Sequence, residues 1–281
     1  MGSALASALF NKGLTTTVWN RTAAKAAPLA QLGLQVEASV LEAVQQADVI
    51  VVSISNYEST KQLLCHPEIE SVLRGKILVQ LTTGTPDEAR EMESWAQSHG
   101  IEYLDGAILG NPSDIGKPQV MALYSGSDAL FNRMKPIPLA FGDNAMFVGK
   151  EIGHASALDM AALAFGMGAM FSFLQGFIVY ETENLPVDGF MQSIKSLLPV
   201  LETVFSGLLA TIRAKDYDNT QASLEVYAAC PRELIRWCGK HGVDHSFADP
   251  QRSLIDKAIK AGKGHADFAY LFEIMKNGSV A

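Results

Sequence analysis

The chain has 281 residues, of which 48% are hydrophobic and 19% are charged, and its formal net charge is −8 at pH 7. The length suits two domains or one large domain, and the composition is too apolar for a disordered protein. The acidic balance argues against a nucleic-acid-binding protein, because such proteins usually carry a basic face.

Cysteine, histidine and N-terminal patterns exclude further classes of protein. The three cysteines show no CxxC spacing and cannot all pair with one another, which indicates a reducing compartment and predicts a cytoplasmic protein. The six histidines include no HExxH motif, so we expect no metal site. No basic segment precedes an apolar run near Met1, so we expect no secretory signal.

The first predicted elements are a helix rich in small residues over 1–10, a turn over 11–13 and a β-branched strand over 15–19. This order is typical of the middle of a dinucleotide-binding βαβ unit, which starts with a strand and the motif Gly-x-Gly-x-x-Gly. Only the last glycine of that motif, Gly2, is present, and we expect it to bind the cofactor. The pattern predicts either a first strand upstream of Met1 or a gap in the sheet, and weak cofactor binding by the chain as printed.

The residues at the tip of the 15–19 strand select the cofactor. Asn20, Arg21 and Thr22 follow this strand, and Lys25 comes soon after them. An acid at this position bonds the free ribose hydroxyl of NAD, whereas an Arg accommodates the 2′-phosphate of NADP. Guanidinium groups form strong charge-assisted bonds with phosphate oxygens. These four residues predict NADPH as the cofactor, and the alternative is a solvated turn with two basic residues.

Strand-like and helix-like segments alternate up to about residue 150. Helices are predicted over 38–47, 58–73 and 87–99, and strands over 48–54, 76–81, 100–105 and 120–125. This alternation predicts a doubly wound sheet, in which ligands bind at the carboxyl ends of the strands. The predicted cofactor contacts there are Ser53, Ile54, Thr82, Thr83 and Gly84. The alternative interpretation of these loops is ordinary turn chemistry.

The pattern changes near residue 150, which predicts a dinucleotide-binding domain over 1–150 and a helical domain over 151–281. Residues 160–180 contain no charge and are long enough to span a bilayer. The segment is rich in Ala and Gly and is flanked by Asp159 and Glu181 without a basic cluster, so we expect a helix buried in protein rather than a membrane span. Further helices are predicted over 187–214, 220–241 and 251–262.

Asp159 is the candidate for acid–base chemistry. Ser156 precedes it by three residues, which matches a capping box with Ser156 at the N-cap of a helix and Asp159 at its third position. In the other interpretation, Asp159 faces a cleft between the domains, where partial desolvation raises its pKa and allows proton transfer near neutral pH. The residues alone leave both interpretations open.

Six short stretches, in order and at matching spacing, resemble one known family. They are TVWNRT at 17–22, LTTGTP at 81–86, DGAI at 105–108, PSDIG at 112–116, LYSG at 123–126 and ASALD at 155–159. Over nearly its whole length the chain resembles the imine reductases and reductive aminases, NADPH-dependent relatives of the 3-hydroxyisobutyrate dehydrogenases.

The resemblance implies an α/β fold with an N-terminal Rossmann-like doubly wound sheet, here apparently without its first strand. A long interdomain helix and an all-α C-terminal domain would follow. It also implies homodimers that exchange their C-terminal domains, so that each active site uses both chains. Such an exchange would explain why the helix over 160–180 is apolar on all sides.

The resemblance also implies the reaction. In the related hydroxyacid dehydrogenases a helical Lys, with an Asn one turn later, performs the acid–base chemistry, and imine reductases have Asp or Tyr in its place. Here that residue is Asp159, followed by Ala162 and Leu163 in the next turn. The implied activity is NADPH-dependent reduction of the C=N bond of a cyclic imine, such as a pyrroline or dihydroisoquinoline, with Asp159 as the catalytic residue.

The implied substrate pocket departs from that of reductive aminases. The chain has Thr83, Met167 and Leu197 where those enzymes carry Asn, Tyr and Trp, which favours preformed imines over a ketone and an amine. Met167, Leu197 and Phe171 are expected to shape an apolar pocket, and Tyr227 stands where the family has a polar pocket residue. The alternative for each of the four is a core or interface position.

Two other functions remain open at the level of sequence. One is a 3-hydroxyisobutyrate-type β-hydroxyacid dehydrogenase, against which the missing Lys and Asn argue. The other is a cofactor-deficient truncated homologue without activity. The partners expected for the favoured function are a small-molecule imine and a second copy of the chain, with neither nucleic acid nor a membrane.

Overall fold

The chain divides into two units, Met1–Gly166 and the part from Met167 onward. A computed structural model describes residues 1–278. One long helix, α9 (His154–Thr182), passes from the first unit into the second. The predicted boundary at residue 150 lies just before this helix, and the assignment of a function to each side of it stays a prediction.

The first unit alternates strands with helices, which confirms the α/β fold class. Its strands are β1 (Thr17–Val18), β2 (Gln35–Val36), β3 (Val49–Val52), β4 (Ile77–Gln80), β5 (Glu102–Leu109), β6 (Met121–Gly126) and β7 (Asn144–Gly149). They form two hydrogen-bonded sheets, a parallel pair β1–β2 and a five-stranded sheet in the order β3–β4–β5–β6–β7. Strands β2 and β7 were not predicted from the sequence.

The five-stranded sheet is parallel except between β5 and β6, which run antiparallel. The connection between these two strands contains only one 3₁₀ turn, Pro112–Asp114. A parallel pair would need a longer crossover, usually with an α-helix, so this short connection reverses the chain direction. Strand β5 also extends to Leu109, four residues beyond the predicted end of the strand.

Eight helices precede α9 in the first unit: α1 (Gly2–Asn11), α2 (Ala23–Gln31), α3 (Val40–Gln46), α4 (Tyr57–Leu64), α5 (Pro67–Leu73), α6 (Pro86–Ser98), α7 (Asp128–Met134) and α8 (Pro138–Phe141). Of these, α3, α4, α6 and α7 begin at a side chain that caps the helix. Ser39 and Thr85 form capping boxes with Glu42 and Glu88, and these boxes start α3 and α6.

The predicted helix over 58–73 is wrong as a single element. It divides into α4 and α5 because Pro67 forces the preceding residue, His66, into extended backbone. Pro67 then occupies the first position of the new helix, where the missing amide hydrogen has no cost. The helices α2, α7 and α8 were not predicted.

Two apolar clusters hold the five-stranded sheet between helices. On one side, Val79, Leu104 and Tyr124 of the strands pack with residues of α1, α7 and α8. On the other side, Leu78 and Tyr103 pack with residues of α3, α4, α5 and α6. Alternate residues of each strand therefore face opposite layers, as a sheet covered on both faces requires.

The second unit is helical. Beyond α9 it contains α10 (Val187–Ala214), α11 (Leu224–Tyr227), α12 (Ala229–His241), α13 (Ala248–Ala258), a π-helical turn (Ile259–Lys263), a 3₁₀ turn (Phe268–Tyr270) and α14 (Leu271–Lys276). The predicted bounds of α10 are confirmed. The predicted helix over 220–241 is shorter and interrupted, and that over 251–262 starts three residues earlier as α13. A core of apolar residues, including Leu224, Ile255 and Ile274, joins α11, α13 and α14.

The helices α9 and α10 are long and apolar enough to cross a membrane by length and composition. Only 6% of the most apolar window of α9 and none of that of α10 is buried. Large apolar side chains are exposed along both helices, among them Phe165, Met170, Leu198 and Val200. A surface of this kind normally marks an interface with another protein or with a membrane.

Candidate active site

The loops that follow β3 and β4 lie side by side, as the sequence predicted. The backbone N–H of Leu81 donates to the carbonyl of Val52 at 2.8 Å, and the N–H of Ile54 donates to Oγ1 of Thr82 at 3.2 Å. Helix α1 begins at the same place, since a Cβ built on Gly2 would lie 3.5 Å from the carbonyl oxygen of Ser53. The structure therefore brings together the loop ends and the helix start that were assigned to the cofactor.

The side chains of this group differ in exposure. Thr82 is buried and its amide N–H donates to Oε1 of Gln80 at 3.4 Å, whereas Thr83 and Ile54 are exposed. A Cβ at Gly84 would overlap the ring of Tyr57, so only glycine lets this loop pack against that ring. A loop of small residues with exposed polar groups, next to a helix start, fits the phosphates and ribose of a dinucleotide.

The turn after β1 presents two cations to solvent. Asn20 closes the turn by accepting a hydrogen bond from the N–H of Thr22 at 2.9 Å, and Thr22 precedes the first residue of α2. Arg21 and Lys25 are exposed. Within residues 1–278 neither cation forms an ion pair. Both side chains are thus available to an anionic ligand, which fits the 2′-phosphate of NADP.

Asp159 lies in the second turn of α9 and is only 3% exposed. Burial, and after it the nearby charge of Asp105, raises the pKa of Asp159 above its ordinary value. Because α9 begins at His154, Ser156 lies inside the helix and its hydroxyl donates to Asp105. The capping-box interpretation of Ser156 and Asp159 is therefore wrong, and a buried acid remains.

Asp105 was missed as a site residue, although it belongs to one of the six resembling stretches. It is fully buried on β5 and accepts hydrogen bonds at both carboxylate oxygens. Oδ1 accepts from the hydroxyls of Ser156 at 3.0 Å and Tyr57 at 3.3 Å, and Oδ2 accepts from Oγ of Ser125 at 3.0 Å and from the N–H of Gly153 at 3.2 Å. The signal in the sequence was an acid placed between the apolar residues Leu104 and Ala107 of a strand.

Asp105 is the centre of a buried polar row across the sheet. Its neighbour on β4 is Gln80 and its neighbour on β6 is Ser125, and all three side chains are inaccessible to solvent. Gln80 donates to Oγ1 of Thr60 at 3.1 Å and accepts from the N–H of Thr82. The row therefore touches the predicted cofactor loop at one end and the start of α9 at the other.

The predicted pocket residues lie on three helices of the second unit. Met167 and Phe171 belong to α9, and Phe171 stacks on Phe247 with ring centroids 5.8 Å apart. Leu197 is exposed on α10, and Tyr227 lies on α11 with its ring 4.9 Å from that of Phe268. The assignment of these four residues to a substrate pocket stays a prediction.

Two protein families match the chain in succession. The NAD-binding domain of 6-phosphogluconate dehydrogenase matches residues 1–149, and the C-terminal domain of NADPH-dependent reductive aminase-like proteins matches residues 151–277. An NADPH-dependent reductive aminase from Aspergillus oryzae is 30% identical over 282 aligned residues, which cover 99% of this chain and 95% of that protein. The chain belongs to the imine reductase and reductive aminase family.

Solved structures of the family have the same fold. An imine reductase from Myxococcus stipitatus in complex with NADP⁺ is 41% identical, with a TM-score of 0.91 over 98% of this chain and 96% of its own. A reductive aminase from Aspergillus terreus in complex with NADPH4, cyclohexanone and allyl amine is 27% identical, with a TM-score of 0.89 over 98% and 95%. These imine reductase relatives confirm the predicted family, the fold class and the NADPH-dependent reduction of C=N bonds.

Proposed function

We propose that this imine reductase reduces cyclic imines, such as pyrrolines and dihydroisoquinolines, with Asp159 as the proton donor. The observation that supports this role is a buried carboxyl whose pKa is raised by burial and by a second acid. Such a carboxyl keeps its proton at a pH where an exposed acid is ionised, so it has a proton to donate.

NADPH, when bound, supplies a hydride to the imine carbon. Arg21 and Lys25 would pair with its 2′-phosphate, and the loops at Ser53 and Thr82 would line its binding site. Asp159 gives its proton to the imine nitrogen as the π electrons of the C=N bond collect there, and is left as a carboxylate. The products are an amine and NADP⁺, so atoms and charge balance. A positioned proton donor of this kind contributes roughly a hundredfold or more in rate.

The decisive experiment compares a neutral imine with a permanently charged one. Oxidation of NADPH is followed with 3,4-dihydroisoquinoline and with its N-methyl iminium salt, in the unmutated enzyme and in Asp159→Asn. The iminium accepts a hydride without any proton, so the variant should lose about a hundredfold in kcat with the imine alone. Equal losses with both substrates would instead assign Asp159 to stabilisation of the cation.

The other functions considered above are outcomes of the same assays. A β-hydroxyacid dehydrogenase would leave imines unreduced and would oxidise a β-hydroxyacid with NADP⁺. A protein that fails to bind NADPH in a fluorescence titration would be a homologue without activity. In that case the proposed role of Asp159 would be wrong as well.

The proposed assembly is a homodimer that exchanges its C-terminal domains, in the cytoplasm, without membrane or nucleic-acid partners. Residues 1–150 would bind the cofactor, and residues 151–281 would form the interface and contribute to the substrate pocket. The exposed apolar surfaces of α9 and α10 support an interface. Asp188, Lys195 and Glu202 recur on α10 at a spacing of seven residues, and charges within the span of a helix are costly in a bilayer.

A further inference from the structure

Asp105 is a buried charge that the reaction described above does not use. Its carboxylate oxygens accept hydrogen bonds from two serine hydroxyls, one phenol and backbone N–H groups, and it forms no ion pair within the described residues. A carboxylate buried without a cation is costly unless donors surround it. An ionised carboxylate accepts from all of these donors at once, whereas a protonated one would need one of the three hydroxyl groups to stop donating and accept its proton instead.

Three of these five donor groups lie at the start of α9, namely the N–H of Gly153 just before the helix and the N–H and hydroxyl of Ser156 in its first turn. The first N–H groups of a helix have no acceptor inside the helix. Here side chains of β5 and β6 provide the acceptors. The N–H groups of Gly153 and Ser156 donate to Oδ2 of Asp105 at 3.2 and 3.4 Å, and the N–H of Ala155 donates to Oγ of Ser125 at 3.1 Å. A negative charge also suits this end of the helix dipole.

The anchored turn determines where Asp159 lies. Asp159 follows Ser156 by three residues, which is less than one turn of helix. The backbone at Gly153 has φ of +93°, and a Cβ there would lie 2.9 Å from the carbonyl oxygen of Pro86. The start of α9 is therefore held both by Asp105 and by close contact with the start of α6.

We propose that Asp105 is a positioning residue for the reaction, which fixes the first turn of α9 and with it the place of Asp159, and which sets a second negative charge beside that acid. The inference rests on the role of Asp159 proposed above. Asp105 acts through Asp159 and is not itself required to touch the substrate or the cofactor.

The charges around the two acids support this arrangement. Like charges disfavour ionisation, so the carboxylate of Asp105 helps Asp159 to keep its proton. Burial raises the pKa of Asp105 too, and the donors from Ser156, Ser125 and Gly153 oppose that rise. Within residues 1–278, neither acid forms an ion pair with Lys, Arg or His.

Besides Asp159, two phenols and one carboxyl are near enough to Asp105 for its charge, after burial, to raise their pKa values. Tyr57 of α4 and Tyr103 of β5 are buried phenols whose pKa values are raised by burial first and by further groups, Asp105 among them. Glu93 of α6 has its pKa raised by burial and then by the charges of Glu151 and Asp105. All of these groups are neutral or negative, so none of them favours ionisation of Asp159.

The test uses Asp105→Asn, which keeps the shape of the side chain and removes its charge. We expect kcat for imine reduction at neutral pH to fall by about tenfold or more, because misplacing a catalytic group by 1 Å costs roughly a hundredfold. KM for NADPH should stay unchanged. In the profile of kcat against pH, activity falls on the alkaline side as Asp159 loses its proton. This limb should move to lower pH, because Asp159 loses its proton more easily without the neighbouring charge.

A double-mutant cycle separates action through Asp159 from a general loss of structure. If Asp105 acts through Asp159, then Asp105→Asn should change kcat by less than about twofold in the Asp159→Asn background. The same loss of kcat in both backgrounds, or a pH limb that does not move, would overturn the inference about Asp105. Either result would leave the role proposed for Asp159 unaffected. Full imine reduction by Asp159→Asn would instead refute the role proposed for Asp159, and this inference with it.

Ser127→Ala is the matched control. Ser127 directly follows β6, the strand that carries Ser125, and it caps α7 without touching Asp105. It should cost stability comparable to the loss of a helix cap and leave kcat and the pH limb unchanged. If Asp105→Asn fails to fold, Ser125→Ala decides the matter, since it removes the link to Ala155 and one donor to Asp105 but keeps the carboxyl group itself. A several-fold loss of kcat at unchanged KM for NADPH supports the inference, and an unchanged kcat overturns it.

Discussion

At the scale of single residues, the acids of this imine reductase combine a chemical role with a cost in stability. Asp159 and Asp105 are both nearly inaccessible to solvent, and burial raises the pKa of each. A raised pKa means that the folded state holds the proton more tightly than the unfolded chain does. The contribution of such a group to stability is fully present at low pH and is lost as pH rises through its pKa in the folded state.

Asp159→Asn should therefore raise the melting temperature at pH 8 while it lowers activity. The amide carries no charge to bury, so we expect a gain of about 2–4 °C, which corresponds to about 1 kcal/mol in a protein of this size. The gain should shrink as pH falls toward 4, where Asp159 regains its proton in the unmutated enzyme. Asp216→Asn, at an exposed acid, should leave the melting temperature unchanged at both pH values. A gain that is larger at low pH would contradict this account.

Arg21 carries the prediction about the cofactor. Arg21→Asp places a negative charge where the 2′-phosphate of NADPH is expected. Hydrogen bonds to charged groups contribute about 1.5–3 kcal/mol, so the ratio of kcat/KM for NADPH over NADH should fall by roughly tenfold to a hundredfold. Arg74→Asp is the control, because Arg74 is also exposed but lies before the amino end of β4, whereas Arg21 follows the carboxyl end of β1. Equal efficiency with both cofactors in the unmutated enzyme would contradict the assignment of Arg21.

At the scale of elements, the start of α9 is held by partners that are distant in the sequence. Its N–H groups are satisfied by residues of β5 and β6 instead of by a side chain just before the helix. Local capping boxes start α3 and α6. A helix end that is bonded to distant partners moves when those partners move. The position of Asp159 therefore depends on the positions of β5 and β6.

Gly153→Ala should destabilise the enzyme by more than about 1 kcal/mol, because Ala is strained at a positive φ and its Cβ would press on the carbonyl of Pro86. Unfolding in urea, followed by circular dichroism, measures the loss. Gly239→Ala is the control, since Gly239 lies inside α12 with open space around its Cα. That substitution should stabilise the helix by roughly 0.5–1 kcal/mol. A Gly153→Ala protein as stable as the unmutated one would refute the constraint.

At the scale of the whole molecule, α9 and α10 expose more apolar surface than one soluble chain normally shows. We expect this surface to be covered by a second copy of the chain. A two-fold interface doubles the effect of each substitution, because every residue occurs in it twice.

Leu198→Glu should convert the expected dimer to a monomer and abolish activity, since it would place a charge in the proposed apolar interface on both copies. Light scattering at micromolar concentration measures the mass. Leu32→Glu is the matched control, because Leu32 is 59% exposed and Leu198 58%, and Leu32 lies outside α9 and α10. A stable, active monomer in the unmutated protein would show that the exposed surface serves another purpose.

The sequence alone determined the type of most elements and the family. The alternation of strands and helices, the apolar segments that became α9 and α10, and the turn at Arg21 are local patterns, and each follows from residues close together in the chain. The six resembling stretches led to the same family that the comparisons confirm. The break at Pro67 was also local, and attention to the residue before proline would have predicted it.

Only the tertiary structure decided the surroundings of Asp159. The hydroxyls that hold Asp105 come from Tyr57, Ser125 and Ser156, which lie 48, 20 and 51 positions away in the chain. No periodicity in the sequence states which distant donors meet a buried carboxylate, because that choice depends on strand order and on the antiparallel turn between β5 and β6. Ser156 matched a helix cap in the sequence for the same reason. In the fold its hydroxyl donates to the distant Asp105 instead, because a buried carboxylate is costly unless donors surround it.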